Sequence, residues 1–282
     1  MSIVMNTNIS SLTAQRNLTN STNALATTFK RLSSGQRINS AADDAAGLSI
    51  SDRMTSQIRG LNQAVRNAND TISMIQISEG ALNETTTALQ RMRELAVQAA
   101  NDTNVSTDRQ DLQKEVNQLI SEIDRISVTT AFNNQLLLQG SFAEGKKFHV
   151  GANENQTITV SITNMGAEAL GIDRGNMETF STGDGATDQV NAEAAITKID
   201  AAINSVTAQR ATLGAMQNRF EAVVANLTNI SLNTSVARSR VLDADIAAES
   251  AKLTQNAIMQ QAGTAVLAQA NQQPAIVLQL LK

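Results

Sequence analysis

Two long heptad stripes, one in each half of the chain, restrict its possible folds more than any other feature. The first consists of apolar residues at alternating steps of three and four and then at steps of seven, namely Ile58, Leu61, Val65, Ala68, Ile72, Ile75, Leu82, Leu89 and Ala96. The second has the same period, with Ile196, Ile199, Ile203, Val206, Leu213, Phe220, Val224 and Leu227. This period is typical of helices that pack along a partner helix. Because the first helix would be on the order of 55–60 Å long, the pattern predicts a rod built for assembly.

The composition agrees with narrow helical seams and argues against several partners. Aromatic residues make up only 2% of the 282 residues, so Ala, Leu, Ile and Val must form the core. The single proline, Pro274, leaves long helices uninterrupted before the end of the chain. The net charge of -4 offers no basic surface for nucleic acid. No stretch reaches the roughly 18 apolar residues of a membrane span, so neither nucleic acid nor membrane is an expected partner.

The residues that usually carry catalysis are missing or isolated. There is no cysteine. The one histidine, His149, lies beside Lys146 and Lys147 in a segment where apolar and polar residues alternate, as in an exposed strand. No Gly-x-Ser-x-Gly elbow exists for a triad, and a His-Glu-x-x-His zinc site needs two histidines. Asp243 and Asp245 are spaced like the start of a calcium loop, but the residues after them lack ligand oxygens. We therefore expect no enzyme, no catalytic residue, no metal and no cofactor.

Short sequence motifs predict a series of helices with a β region in the middle of the chain. A short heptad stripe around Leu25 ends at Ser33-Ser34-Gly35, a helix-end signal. Residues 39–47 are interpreted as a connector, in which Ser40 with Asp43 would cap a short helix. A polar break at 101–108 precedes a third helix, for which Thr107 and Gln110 have capping-box spacing.

From residue 132 to 185 the period becomes two, which predicts β-hairpins, with Phe148, Val150, Ile158, Val160 and Ile162 as the alternating apolar residues. Gly183-Asp184-Gly185 closes this segment, and Thr187 or Asp188 would cap the returning helix.

The predicted fold is mainly α: a long antiparallel helical bundle or coiled coil from both chain ends, with a small β-hairpin region in the middle. We assign 1–47 and 236–282 to an inner terminal domain, 48–139 and 186–235 to a helical rod domain, and 140–185 to its β-hairpin part. The stripe residues from Ile58 to Leu89, apart from Ala68, and from Ile203 to Leu227 are the predicted rod core. Inner-domain packing is assigned to Leu18, Leu25, Phe29, Leu32, Leu253, Leu267, Leu278 and Leu281.

The last segment is unusual because residues 253–281 contain no Asp, Glu, Lys or Arg. A solvated surface helix normally carries charge, so neighbours in an assembly are expected to cover one face. In an isolated subunit we expect this segment and residues 1–15 to be loosely ordered.

Motifs at both ends of the chain resemble those of bacterial flagellin. At the N-terminal end they are Asn6-Thr7-Asn8, Leu32-Ser33-Ser34-Gly35, the run from Ala41 to Leu48, and the run from Gln90 to Gln98. At the C-terminal end they are Asn218-Arg219-Phe220, Ala237-Arg238-Ser239-Arg240, Asp243-Ala244-Asp245 and the run from Val277 to Leu281. The short middle looks like that of a form without large outer domains.

The resemblance implies a structural subunit that self-assembles into the helical flagellar filament for swimming motility. It implies an extracellular location reached through the flagellar export apparatus, with no cleaved signal peptide, and an export chaperone, filament cap and hook-junction proteins as partners besides the chain itself. A hook–filament junction protein with flagellin-like ends remains an alternative. So does a secreted enzyme or adhesin carried on such ends, which an inserted domain or a catalytic cluster within 140–188 would support; the sequence shows neither.

The resemblance also implies a receptor-contact motif. Arg91, Leu95 and Gln98, with Glu115 on the next helix, fall at positions through which animal Toll-like receptors recognise flagellins. Steps of three and four place the first three on one helical face. We expect that face to be exposed, to make lateral contacts between protofilaments, and to be hidden in an assembled filament.

Overall fold

The chain folds into long helices with two small hairpins, as the sequence predicted. The computed structural model describes residues 7–177 and 185–280, without the side chains of 185–186 and 274–280. In chain order the elements are α1 (Ile9–Ser34), α2 (Ala45–Ala99), α3 (Ser106–Thr129), β1 (Ala131–Phe132), β2 (Gln135–Leu136), β3 (Phe142–His149), β4 (Thr157–Ile162), α4 (Arg174–Met177), α5 (Gly185–Leu242) and α6 (Ile246–Leu280). No described helix is long and apolar enough to cross a membrane.

Two compact units divide the chain. The terminal unit lies within Met1–Ile58 and Leu232–Lys282, and the central unit is Arg59–Ser231. The division into an inner domain and a rod domain, made from the sequence, stays a prediction about the roles of these parts.

In the terminal unit, local hydrogen bonds set the helix ends. The Asn8 side chain accepts from the Ser11 amide, which caps α1, and α1 ends at Gly35 with φ of 70°. This left-handed geometry favours glycine, so the predicted helix end is confirmed. Asp43 closes a turn by accepting from the Ser40 amide and hydroxyl, while Asp44 accepts from the Gly47 amide at the start of α2. The predicted cap at Ser40 with Asp43 is therefore wrong, because Asp44, four residues after Ser40, meets the first amides of α2.

Helices α1 and α6 of the terminal unit pack together as an antiparallel pair. The connectors before α2 and after α5 pair by their backbones, because the Arg37 amide donates to the Leu242 carbonyl and the Ala244 amide donates to that of Gly35. The structure gives residues Ile246–Leu280 as one helix that lies against α1. The expected loose order of the chain ends in an isolated subunit stays a prediction.

In the central unit, α2 and α5 run antiparallel, as the Arg93–Asp200 ion pair and the Asn62–Ser231 hydrogen bond show. Of the predicted rod core, the structure buries Leu61, Ile75, Leu82, Leu89, Val206, Leu213, Phe220 and Leu227, and half-buries Val65, Ile72, Ile203 and Val224. Ile58, also buried, belongs to the terminal unit. A second buried row on α2, at seven-residue spacing, did not stand out in the sequence because half of its members are polar: Ala64, Thr71, Ser78, Thr85, Met92 and Ala99.

Helix α3 returns along α2 and adds to the same core. Its N-terminus is capped by Asp108, whose carboxylate accepts from the Val105 amide. The predicted capping box at Thr107 and Gln110 is wrong, because α3 already begins at Ser106.

The predicted hairpin region is confirmed as two antiparallel pairs, β1 with β2 and β3 with β4. Ile158, Val160 and Ile162 line the buried face of β4. The ring of Phe148 on β3 packs edge to face against that of Phe220 on α5, with 6.5 Å between the ring centroids. Val150 lies one residue beyond β3.

The start of α5 differs in part from the expectation. Helix α5 begins at Gly185, so Thr187 and Asp188 lie in its first turn rather than before it. Gly183, Asp184 and Leu281, and the side chain of Leu278, lie outside the described residues.

Candidate functional site

The first candidate surface, here called the Arg91 surface, lies where α2 and α3 run side by side. Arg91 Nε donates to Glu115 Oε1 at 2.9 Å, and its Nη1 donates to Glu94 Oε2 at 3.0 Å. These bonds, that to Glu115 foremost, raise the pKa of Arg91 above its ordinary value. The Arg91 side chain is 50% exposed. Because such a surface pair contributes little to stability, its effect is to hold the guanidinium in one direction.

The predicted contact motif is only partly on this surface. Arg91, Gln98 and Glu115 are exposed, whereas Leu95 is 1% exposed and belongs to the core. The expectation that Leu95 shares an exposed face is wrong for this subunit. Helix α3 covers the row of α2 that contains Ala88 and Leu95, which spacing along α2 alone does not reveal.

An open groove of about 470 Å³ adjoins Arg91. Both helices line it with mixed polar and apolar side chains, namely Glu84, Thr87, Ala88, Arg91, Leu119, Glu122, Arg125 and Ile126. Arg125 is paired with Glu122 at 2.6 Å, and this hydrogen bond lowers the pKa of the Glu122 carboxyl. The groove therefore presents fixed charges of both signs around an apolar floor.

The second candidate surface, here called the outer face of α1 and α6, carries large exposed apolar side chains among polar ones. Large side chains lie exposed on both helices, namely Ile9 (64%), Leu12 (56%), Phe29 (65%), Ile258 (60%), Met259 (51%) and Val266 (58%). Of the residues predicted to pack this domain, Leu18, Leu25, Leu32, Leu253 and Leu267 are half-buried. Phe29 does not pack within the subunit, because the neighbouring Thr28 takes the buried position. Exposed apolar side chains in such number mark an interaction surface.

Family models match both ends of the chain. The bacterial flagellin N-terminal helical region matches residues 5–143, and the bacterial flagellin C-terminal helical region matches residues 196–281.

Several flagellar proteins are similar over nearly the whole chain. A flagellin of Halalkalibacterium halodurans is 46% identical over 99% of this chain and 100% of its own length. A flagellin of Bacillus subtilis is 44% identical over 99% of both chains. The flagellar filament 33 kDa core protein of Treponema phagedenis is also 44% identical, over 99% of this chain and 100% of its own.

A solved structure shares the fold at low identity. A putative flagellar hook-associated protein from Vibrio parahaemolyticus superposes with a TM-score of 0.62 at 15% identity, covering 71% of this chain and 100% of its own. A sequence identity this low is evidence of a shared fold and of nothing more. The family models at both ends and the full-length relatives show that the chain belongs to the bacterial flagellin family, as a short form without a large outer domain.

Proposed function

We propose that this flagellin is the structural subunit of a helical flagellar filament and that the outer face of α1 and α6 makes contacts between subunits. The exposure of Ile9, Leu12 and Phe29 beside the uncharged segment of α6 carries the proposal. Burying these side chains against neighbouring copies would supply the hydrophobic free energy of polymerisation. The role is structural rather than enzymatic.

The test is polymerisation of a variant that changes only this face. Leu12→Gln with Phe29→Gln should leave the subunit's thermal midpoint unchanged, because both side chains are exposed. Electron microscopy in a precipitating salt should show no filaments. Thr27→Ala is the control, since Thr27 is exposed on the same helix and its hydroxyl bonds only within α1. Normal filaments from the double variant would refute the role of this face.

The Arg91 surface is proposed as a lateral contact between protofilaments and as the part read by a Toll-like receptor. The exposed, oriented guanidinium of Arg91, with Glu115 and Gln98 exposed nearby, supports this. Leu95 would act only indirectly, by packing beneath the surface. Because the same surface would be buried between protofilaments, monomer should activate receptor-bearing cells strongly and intact filaments weakly.

Arg91→Ala should reduce receptor activation by monomer and weaken filaments, measured by a cell reporter and by swimming speed. Arg93→Ala is matched, because Arg93 is also half-exposed and ion-paired, but to Asp200 of α5. Wild-type monomer that fails to activate the cells would overturn the receptor proposal. An Arg91→Ala strain that swims normally would overturn the lateral contact.

An extracellular route is proposed through the flagellar export apparatus, with an export chaperone, a filament cap and hook-junction proteins as partners. Membership of the bacterial flagellin family supports this route. Cells lacking the cap should release intact subunit, still carrying its N-terminal segment, into the medium. A shortened N-terminus by mass spectrometry would contradict the route.

A junction protein would be present in a few copies per flagellum and a filament subunit in very many. Quantitative immunoblotting of sheared flagella separates the two possibilities. Nothing in the comparisons favours the junction protein, since the hook-associated structure shares only the fold.

A further inference from the structure

One segment of the central unit, residues 163–177, joins α3 to α5 and is here called the strap. It follows β4 and is folded compactly, since the Ile172 amide donates to the Ala167 carbonyl at 2.9 Å. Its apolar side chains are buried, with Met165 at 4% exposure and Ala167, Ile172 and Met177 at 0%. The strap is therefore part of the core of the central unit rather than a loose connection.

The strap is tied to α5 at both of its ends. At its start, Thr163 Oγ1 donates to Gln209 Oε1 at 3.3 Å, and near its end the Asn176 carbonyl accepts from Lys198 Nζ at 2.8 Å. Gln209 is 9% exposed, and its Nε2 also donates to the Ser161 carbonyl of β4 at 3.2 Å. The two anchors are about 16 Å apart along α5 at the usual rise per residue of a helix.

Between these two anchors the strap is tied to α3. The Ala167 amide donates to Asp124 Oδ1 at 2.8 Å, and Arg174 Nη2 donates to Ser121 Oγ at 2.6 Å. By helical spacing, Ser121 and Asp124 lie on the flank of α3 that faces away from the open groove beside Arg91. The strap therefore holds α3 from the side opposite to the groove.

These ties restrict α3 more than its apolar packing does. The buried face of α3 includes Val116, Ile120 and Ile123, and apolar contacts have no preferred direction, so they alone allow small shifts. Hydrogen bonds weaken steeply when their distance or angle changes. Two anchors on α5 and a third on α3 form a triangle, which resists both sliding and turning of α3 within the central unit.

The position of α3 in turn sets the geometry of the Arg91 surface. One wall of the groove belongs to α3, and Glu115 of α3 accepts from Arg91 Nε at 2.9 Å. A shift of α3 by about 1–2 Å, the size that packed helices undergo in conformational changes, would break this hydrogen bond. It would also change the width of the groove.

We propose that the strap holds α3 in place beside α2 and so fixes the width of the groove and the direction of the Arg91 guanidinium. Asp124 and Arg174 act as positioning residues, since neither of them lines the groove. This geometry is a property of the single subunit. Only its use by a receptor or by a neighbouring subunit rests on the function proposed for the Arg91 surface.

The absence of cysteine allows one spin label to be placed on each helix of the full chain, at Gln90→Cys of α2 and Gln118→Cys of α3, both exposed and outside the groove. Double electron–electron resonance of the monomer then measures the spread of distances between the helices. Asp124→Leu with Arg174→Leu should broaden this distribution by about 1–2 Å. Asp124→Asn should leave its width unchanged, because the amide oxygen still accepts from the Ala167 amide.

Asp111→Leu with Lys114→Leu is the matched control, because it also removes one acidic and one basic side chain, from an exposed pair within α3. An unchanged width in the Asp124 and Arg174 double variant would overturn the proposal. So would an equal broadening by Asp124→Asn and Asp124→Leu, since the lost charge rather than the lost hydrogen bond would then be the cause. If circular dichroism shows that the double variant has lost helix, Asp124→Leu alone decides, and the proposal requires it to broaden the distribution.

Activation of receptor-bearing cells by the same monomers is a separate readout. We expect the double variant to activate them less, because the Arg91 guanidinium is no longer held in one direction. A broader distance distribution with unchanged activation would support the role of the strap and count against the Arg91 surface as the receptor contact. Failure of this proposal is therefore distinct from failure of the proposed function.

Discussion

Arg109 shows how one side chain can hold the end of a long helix. It is 3% exposed, its Nε donates to the Ala99 carbonyl at 2.9 Å, and its Nη2 donates to the Asn101 carbonyl at 3.4 Å. The last carbonyls of a helix lack partners within it and carry partial negative charge. The buried guanidinium from α3 satisfies the last of these, the carbonyl of Ala99, and that of Asn101 just beyond, and so joins the two helices where the chain turns.

Replacing Arg109 by Met should therefore lower the free energy of unfolding by about 1–3 kcal/mol, because buried carbonyls would lose their donors. Guanidinium denaturation of the monomer, followed by circular dichroism, measures this. Arg125→Met is the control, since Arg125 is 59% exposed and its pair with Glu122 should contribute less than about 1 kcal/mol. Equal losses in both variants would contradict the capping role.

Leu89 tests the seam of α2 with α5. It is fully buried, so Leu89→Ala should cost about 2–5 kcal/mol of stability. Leu89→Asp should cost more, since it buries an unpaired charge. Gln90→Ala, at the exposed neighbouring position, should change the midpoint of thermal unfolding little. An unchanged midpoint for Leu89→Ala would show that the seam lies elsewhere.

Single residues were predictable where one helix decides their position and not where a second helix does. Heptad spacing placed Leu82 and Leu213 correctly in the seam. It failed for Leu95, because α3 widens the buried face of α2. It also failed for Phe29, because a threonine fills the neighbouring seam position and the larger ring points outward. Apolar character thus did not distinguish a core side chain from one on an interaction surface.

At the scale of elements, two helical glycines of α2 make opposite predictions. A Cβ at Gly60 would lie 2.9 Å from Ala152 Cβ, in the loop between β3 and β4, whereas one at Gly80 would meet nothing within 4 Å. Gly80→Ala should therefore stabilise the subunit by up to about 1 kcal/mol through helix propensity. Gly60→Ala should raise stability less or lower it, because the loop must move. Differential scanning calorimetry compares the two, and equal gains would contradict the close packing at Gly60.

Elements were predicted best where a period ran long and worst at their ends. The stripes predicted the long helices of the central unit, and the alternation at Ile158, Val160 and Ile162 predicted a strand. Helix starts were misplaced because Asp44 and Asp108, rather than Ser40 or Thr107, meet the free amides. Which carboxylate accepts from an amide depends on the backbone conformation of the preceding turn. Residue spacing alone does not determine that conformation.

For the whole molecule, the terminal pair of helices should be separable from the fold of the central unit. Removing residues 264–282 deletes partners of Asn8 and Ser11 and part of the apolar face of α6. The truncated chain should remain a soluble monomer whose central unit still melts cooperatively, since its core lies within Arg59–Ser231. Electron microscopy should find no normal filaments. Their presence would show that this part of α6 is dispensable for assembly.

The row of hydroxyls on α2 bears on the fate of any unfolded copy. Thr71, Ser78 and Thr85 occupy buried heptad positions, and each donates to a carbonyl of its own helix four residues back. When the helix unfolds, these hydroxyls become hydrated. The exposed segment is then less prone to associate with other chains than one with leucine at every seam position. For the filament subunit proposed above, this would slow the aggregation of unfolded chains with one another.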